Sequence, residues 1–504
     1  MDCTSPEPEH PRDCPPTEHL DVLIVGAGLS GIGAAVHLQN NCPQQSFAIL
    51  EARAAIGGTW DLFRYPGIRS DSDMYTLGYR FKPWTQAKAI ADGPSILEYL
   101  HETIRENALE DRIRCGVRVQ SANWSNADAL WTVHILNTAD NSLRILTTKF
   151  LWVCSGYYRY DQGYTPDFAG ISQFNGRVVH PQQWTDDIDY AGKRVVVIGS
   201  GATAITLVPS MADKAAHVTM LQRSPSYVVS LPAQDRLANW MNKRLPHRLA
   251  YAITRWKKVL LGMAFYNGAR RFPHFFKGLF IAGAKNALGP EFDVAKHFTP
   301  SYMPWDQRVC LVPDNDLFRA VRKGRASVVT DNIETFTPTG IKLRSGEEIA
   351  ADLVVTATGL DLLVMGGIAL SVEGKPVVMN QSITYKGMML SDVPNLAYVV
   401  GYTNASWTLK ADLVSEYVCR TLNHMRKTGM RQCTPRMNDP TVKPVHWIDF
   451  TSGYIQRALD RFPMQGDKAP WCLHQNYAKD IVNLRYRRLE DGAMEFTNPQ
   501  RQNA

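Results

Sequence analysis

Two glycine-rich turns, each set between an apolar strand and a helix, constrain this chain more than any other feature. The first lies in Asp21-VLIVGAGLSGIGAAVHL, where Gly26, Gly28 and Gly31 form GxGxxG. The residues from Val22 to Val25 read as a buried parallel strand. The first glycine permits a tight turn, the second lets a pyrophosphate approach the backbone, and the third lets helix pack on strand. The helix N-terminus adds free N–H groups and a positive dipole end. The next strand, Ser46-FAILE, ends in Glu51, placed to hold a ribose hydroxyl pair.

The second turn lies in Lys193-RVVVIGSGATAITLV, where Gly199, Gly201 and Ala204 give GxGxxA. Its next strand, His217-VTMLQR, ends in Arg223 rather than an acid. A cation there suits a 2′-phosphate, so NADPH is preferred over NADH. An acid-type cradle followed by an arginine-type cradle implies two dinucleotides. FAD in the first and NADPH in the second is the economical pairing, because a seated flavin needs a nicotinamide to deliver hydride.

The apolar runs Lys149-FLWVCSG and Asp352-LVVTATG end in glycine and read as links between domains. Alternation around Trp131-TVHIL suggests a small β-meander. Asn395-LAYVVGYTNASWTLKADL reads as strand, turn and helix, with a helix start near Ser406 that could face a flavin; an ordinary strand-to-helix connection fits the same spacing. The fold class is therefore α/β, with two Rossmann-like dinucleotide-binding domains, one for FAD and one for NADP, a small β-meander and a helical insertion. Residues 1–19 read as a disordered leader. Residues 20–160 form the first part of the FAD domain, and 161–390 the NADP domain. Residues 391–504 form the second part of the FAD domain and a C-terminal segment.

Composition removes other classes. No apolar run reaches transmembrane length, and the proline-rich, acid-containing N-terminus lacks the apolar core of a secretory signal. The nine cysteines are widely spaced without CxxC, which opposes a disulfide framework, a zinc knuckle or a disulfide reductase and fits reduced thiols in the cytoplasm; no metal site is expected. The net charge of +7 is uneven: residues 236–285 carry eleven Lys or Arg and no Asp or Glu. This stretch, inside a helical insertion at about 230–290, reads as a solvated basic face that also attracts an anionic cofactor. Its interleaved aromatics leave weak peripheral membrane contact as the other reading, and no motif supports nucleic acid.

Two further motifs carry a resemblance. Phe174, Gly176, His180 and Trp184 in Phe174-NGRVVHPQQW resemble the FxGxxxHxxxW fingerprint of Baeyer–Villiger monooxygenases, which are class B flavoprotein monooxygenases. Gly58, Trp60, Tyr65, Pro66, Gly67 and Asp71 in Gly57-GTWDLFRYPGIRSDSD match that family's second signature, GGxWxxxxYPGxxxD. The resemblance runs from about residue 20 to about residue 490 and is nearest the bacterial ethionamide-activating subgroup, through Tyr75-TLGYRFKPW, Pro304-WDQRVCLVPDNDLF, Tyr385-KGMML and Gly401-YTNASWTLKADL. Two positions depart from the pattern. Thr185 follows the fingerprint Trp where Pro or Asp is usual, and Gln307 stands where many members carry a lysine that helps hold the 2′-phosphate. The preference for NADPH then rests mainly on Arg223.

The resemblance implies an NADPH-consuming FAD enzyme that inserts one atom of O2 beside a ketone carbonyl, giving an ester or lactone, with a flavin C4a-peroxide as oxidant. By family position the cation beside the flavin is Arg308, with Asp71 as its partner. Gly58, Trp60, Asp71 and His180 join the cofactor-binding set, and His180 is expected to couple domain position to cofactor state or to serve the structure alone. Substrate is expected against Gly359-LDLLVMGG and near Trp447 and Trp471. Sulfides are expected to be oxygenated too. The alternatives are a flavin monooxygenase acting mainly on sulfur or nitrogen and, from another class, a redox-sensing dinucleotide-binding protein without turnover.

Overall fold

The computed structural model describes residues 18–447 and 451–499. The expected leader lies outside the described residues except for Glu18 and His19, which already belong to the first strand. That strand, Glu18–Val25, runs parallel to Phe47–Glu51 on one side and to Leu143–Val153 on the other. Val22, Leu23 and Ile24 are wholly buried, as a parallel strand covered on both faces must be. The helices Leu29–Asn41 and Trp407–Thr428 pack on each other within the core on one face. The strand Leu396–Tyr398 joins alongside the end of Leu143–Val153.

The first half of Leu143–Val153 pairs antiparallel with Leu130–Asn137, which pairs antiparallel with Val117–Ser125. Trp131, Val133 and Ile135 point inward while Thr132 and His134 are half-buried, so the alternation marks a meander with one covered face. Ala369–Val372 pairs parallel with Val117–Ser125. The chain thus returns to the first sheet before residue 391, because a four-residue run such as ALSV carries no signal of which sheet it joins.

The second sheet is fully parallel, in the order Ala326–Thr330, His217–Gln222, Arg194–Ile198, Leu353–Thr356, Arg177–Val179. The helix Ala202–Met211 follows its central strand and packs through Ala204, Ile205, Leu207 and Val208. Two short parallel strands, Val228–Leu231 and Cys310–Pro313, bracket the insertion. It contains the helices Arg236–Arg244, His247–Arg271 and Pro273–Leu288. The long helix His247–Arg271 reaches back to the first unit. Its buried Arg255 donates to the carbonyls of Tyr75 (2.8 Å) and Gly78 (2.7 Å) and pairs with Asp412 at 3.3 Å. Among the described residues no helix is long and apolar enough to cross a membrane.

Candidate active site

The carboxyl ends of the parallel strands of both sheets open onto one cleft of about 2850 Å³, several times the size of a single small-molecule pocket. In the first cradle Gly26 has φ +104°, and a Cβ there would lie 2.8 Å from the Cys154 carbonyl oxygen. A Cβ on Gly31 would lie 1.8 Å from the Gly26 carbonyl oxygen, so only glycine lets this helix seat against its strand. Above Gly28, by contrast, nothing comes closer than Gly58 Cα at 3.6 Å. The helix that starts at Leu29 has no side-chain cap, so its first N–H groups remain available to a ligand. Glu51 is buried and accepts from the N–H groups of Ala27 (2.8 Å) and Arg53 (2.9 Å). It therefore shapes the cradle loop while still lining the cleft.

The second cradle repeats the plan. A Cβ on Gly199 would lie 2.3 Å from the Ala357 carbonyl oxygen, whereas a Cβ on Gly201 would meet nothing within 4 Å. The helix from Ala202 is likewise uncapped by a side chain, and Ala204 is buried in the packing of helix on sheet. Arg223 is exposed on the cleft wall just past its strand, and Gln307 lines the same cleft. In each cradle backbone closes the structural positions and leaves the phosphate position open. The residues present fit two dinucleotides.

Gly58, Trp60 and Asp71 all line the cleft beside the first cradle. Gly67 in the same motif has φ +77°, and a Cβ there would lie 1.8 Å from Ser210 Oγ on the second unit's helix. The Tyr65-Pro66-Gly67 turn thus docks one unit on the other.

Arg308 forms an ion pair with Asp71. The two side chains are 42% and 36% accessible, but that surface faces the interior of the cleft. Asp71 holds the guanidinium pKa above its usual value and outweighs the effect of burial. Tyr157, Tyr158 and Tyr454 stand around it, and burial pushes the phenols of Tyr158 and Tyr454 up to about 12. The surroundings of Arg308 are therefore one carboxylate and three neutral aromatic alcohols. Trp305, three residues earlier, has φ +72°, a conformation that a bulky residue adopts only when its surroundings impose it. Its ring meets Tyr266 at 5.3 Å.

His180 stands behind the cleft lining, bonded to backbone. Its Nε2–H donates to the Gly359 carbonyl at 3.0 Å, and its Nδ1 accepts from the Gln182 N–H at 3.2 Å. Burial lowers its pKa. With both ring nitrogens committed to backbone, it braces Gly359, which does line the cleft, from behind. Trp447 and Trp471 are displaced from the expected pocket, each buried in an apolar core. The C-terminal wall comes instead from Ser452, Gly453, Tyr454, Arg457 and the stretch Gln475 to Tyr477. Gly359, Leu360, Leu363, Gly366 and Gly367 line the cleft where the 360s were expected to.

Sequence reasoning missed Tyr157 and Tyr158. Their signal was position, since they directly follow Gly156, three residues past the end of the strand Leu143–Val153, at the carboxyl edge of the first sheet. Ser406 was read correctly as a helix start. It directly precedes Trp407–Thr428 without a side-chain capping bond, lines the cleft and shares a 2.6 Å hydrogen bond with Thr76.

Two family models match the chain: flavin-binding monooxygenase-like over residues 91–257 and an NAD(P)-binding Rossmann-like domain over residues 24–87. The FAD-containing monooxygenase EthA of Mycolicibacterium smegmatis is 54% identical over 482 residues, covering 95% of this chain and 98% of that protein. A probable FAD-binding monooxygenase, AlmA, of Acinetobacter sp is 49% identical, covering 95% and 96%. Among solved structures, oxidized steroid monooxygenase bound to NADP aligns with a TM-score of 0.74 at 21% identity, covering 95% of this chain and 100% of that one. Cyclohexanone monooxygenase from Rhodococcus sp. Phi1 bound to NADP+ aligns at 0.71 and 20%, covering 96% and 100%. At that identity the structures speak for the shared fold.

Proposed function

The chain belongs to the family of FAD-containing, flavin-binding monooxygenases, and from that premise we propose that it catalyses Baeyer–Villiger oxygenation with FAD and NADPH. One atom of O2 enters beside a ketone carbonyl to give an ester or lactone, and soft sulfur nucleophiles are oxygenated in the same cleft. The observation that carries this reading is the Arg308–Asp71 pair, enclosed in the cleft that both cradles share.

Gly26, Gly28 and the helix from Leu29 would receive the FAD pyrophosphate, with Glu51 at the ribose and Gly58 and Trp60 alongside. Gly199, Gly201 and the helix from Ala202 would receive that of NADPH, with Arg223 at the 2′-phosphate. Bound FAD, reduced by NADPH, supplies the electrons and the activation of O2. The chain's own residues then manage charge and water. The Arg308 guanidinium stays cationic throughout and offers directed donors where negative charge develops on oxygen. Asp71 fixes where that cation sits and offsets the cost of enclosing it. The neutral phenols of Tyr157, Tyr158 and Tyr454 surround the pair without adding a charge. His180 holds the Gly359 turn and moves no proton, since neither ring nitrogen is free.

A panel of ketones and sulfides incubated with NADPH and heavy-isotope-labelled O2 tests the proposal. One labelled oxygen in an ester or lactone supports it. Products confined to sulfoxides or N-oxides across the panel would replace it with the sulfur- and nitrogen-oxygenating alternative.

A further inference from the structure

The helical insertion exposes apolar side chains as well as burying them. Ten of the sixteen exposed large apolar side chains among the described residues fall within residues 236–285, a segment of fifty residues in 504, and all but Leu237 and Leu261 lie away from the cleft lining. On the helix His247–Arg271 the exposed stripe is Leu249, Ile253, Trp256 and Leu260, at the three- and four-residue spacing of a single helix face. The face turned inward carries Tyr251, Thr254 and Arg255 instead. Pro273–Leu288 buries Phe280, Ala284 and Leu288 and still exposes Phe275 (68%) and Leu279. Trp240 on Arg236–Arg244 is 57% exposed.

Charge accompanies this face. No Asp or Glu occurs between residues 236 and 285. Some of its cations are already used: Arg255 pairs with Asp412, Lys257 and Lys258 with Asp235, and Arg270 with Asp306. Arg236, Lys243, Arg244, Arg248, Arg271 and Lys285 are exposed instead.

Exposed apolar side chains and exposed cations on the same helices, with no acid among them, fit one environment above others. Apolar side chains sink below the headgroups of a bilayer, tryptophans sit at their level, and lysines and arginines meet anionic phosphates. A second protein copy bearing the same surplus of positive charge would be repelled.

We propose that the outward face of the three insertion helices docks on an anionic lipid surface, with Leu249, Ile253, Trp256, Leu260, Phe275 and Leu279 entering the headgroup region. Val259, Leu261, Met263 and Phe265 of the same long helix line the cleft. The docked helix is therefore also a cleft wall, which puts apolar molecules dissolved in the membrane within one helix diameter of it.

The full-length holoenzyme is sedimented with vesicles of phosphatidylcholine alone and of phosphatidylcholine mixed with phosphatidylglycerol. Binding to the mixed vesicles that weakens as salt rises is expected. The Leu260→Ser/Phe275→Ser double variant should lower the partition coefficient by about ten-fold or more while keeping flavin content and melting temperature. Arg244→Glu/Arg248→Glu should reduce binding to the anionic vesicles specifically. Wild-type protein that stays in the supernatant with both vesicles overturns the proposal. So does equal, salt-independent binding to both. Light scattering that shows an oligomer dissolved by Leu260→Ser/Phe275→Ser would assign the face to a second copy of the chain and overturn it as well.

Discussion

Asp412 is the anchor that ties the insertion to the first unit, and removing it should be costly. Its carboxylate is 2% exposed. It accepts from His37 Nε2 at 3.2 Å, the Arg80 N–H at 3.0 Å and Arg255 Nη2 at 3.3 Å. Burial alone would raise its pKa, but the His37 and Arg255 contacts and the Arg80 N–H outweigh it and hold it below the usual carboxylate range. Asp412→Ala leaves Arg255 buried with a charge and no counter-ion, which costs about 3–5 kcal/mol in comparable sites. The Tyr75 and Gly78 carbonyls still accept from Arg255 and set the expectation near the lower end, about 3 kcal/mol. Arg255→Met/Asp412→Leu removes both charges and should cost less than the single variant. Urea unfolding followed by circular dichroism gives both values as midpoint times slope. The sign with pH follows from the depressed carboxyl. Its contribution is full above the unfolded-state value of about 3.9 and fades as pH falls through the folded one. The gap between wild type and Asp412→Ala should therefore narrow in acid. A cost below about 1 kcal/mol at neutral pH, or a double variant as unstable as the two single losses added, would refute the reasoning.

Other consequences are local. Gly31→Ala drives a Cβ to 1.8 Å from the Gly26 carbonyl oxygen, so the purified protein should lose most of its flavin colour; full flavin content would contradict the first cradle. Arg223→Ala should raise KM for NADPH about ten-fold, the worth of one charge-assisted hydrogen bond of about 1.4 kcal/mol, with KM for NADH unchanged; equal effects on both would remove Arg223 from the 2′-phosphate. His180→Ala should lower stability by about 1–3 kcal/mol through the unpaired Gln182 N–H, the Gly359 carbonyl keeping its bond from the Tyr164 N–H, and leave the shape of the pH–rate profile intact. Loss of a limb near neutral pH would make His180 a proton carrier after all.

What the sequence disclosed and what it hid divide along contact range. The cradles were legible because a continuous apolar strand, a glycine turn and a helix follow one another within some twenty residues. The meander around Trp131 was legible from its alternation. Arg308 and Asp71 are far apart in the chain, and nothing in their spacing pairs them; only the resemblance did, and the fold brings them into contact. Tyr454 beside Arg308, and Arg255 beside Asp412, had no local signature at all. His180 sits in a recognisable motif, yet sequence could not say which side of the Gly359 turn it occupies. Trp447 and Trp471 became core because a large apolar ring gains more from full burial than from lining a wet cleft. The charge of residues 236–285 was plain in composition, but the outward turn of Leu249, Ile253 and Trp256 depends on what the opposite face buries.

The most direct test of the oxygenation chemistry is ester formed per NADPH consumed by Arg308→Ala on a ketone that wild type converts. If Arg308 stabilises the negative charge that develops on oxygen, reduction of the flavin by NADPH persists near the wild-type rate while ester formation falls about 100- to 1,000-fold. Ester formation by Arg308→Ala at close to the wild-type rate would contradict it.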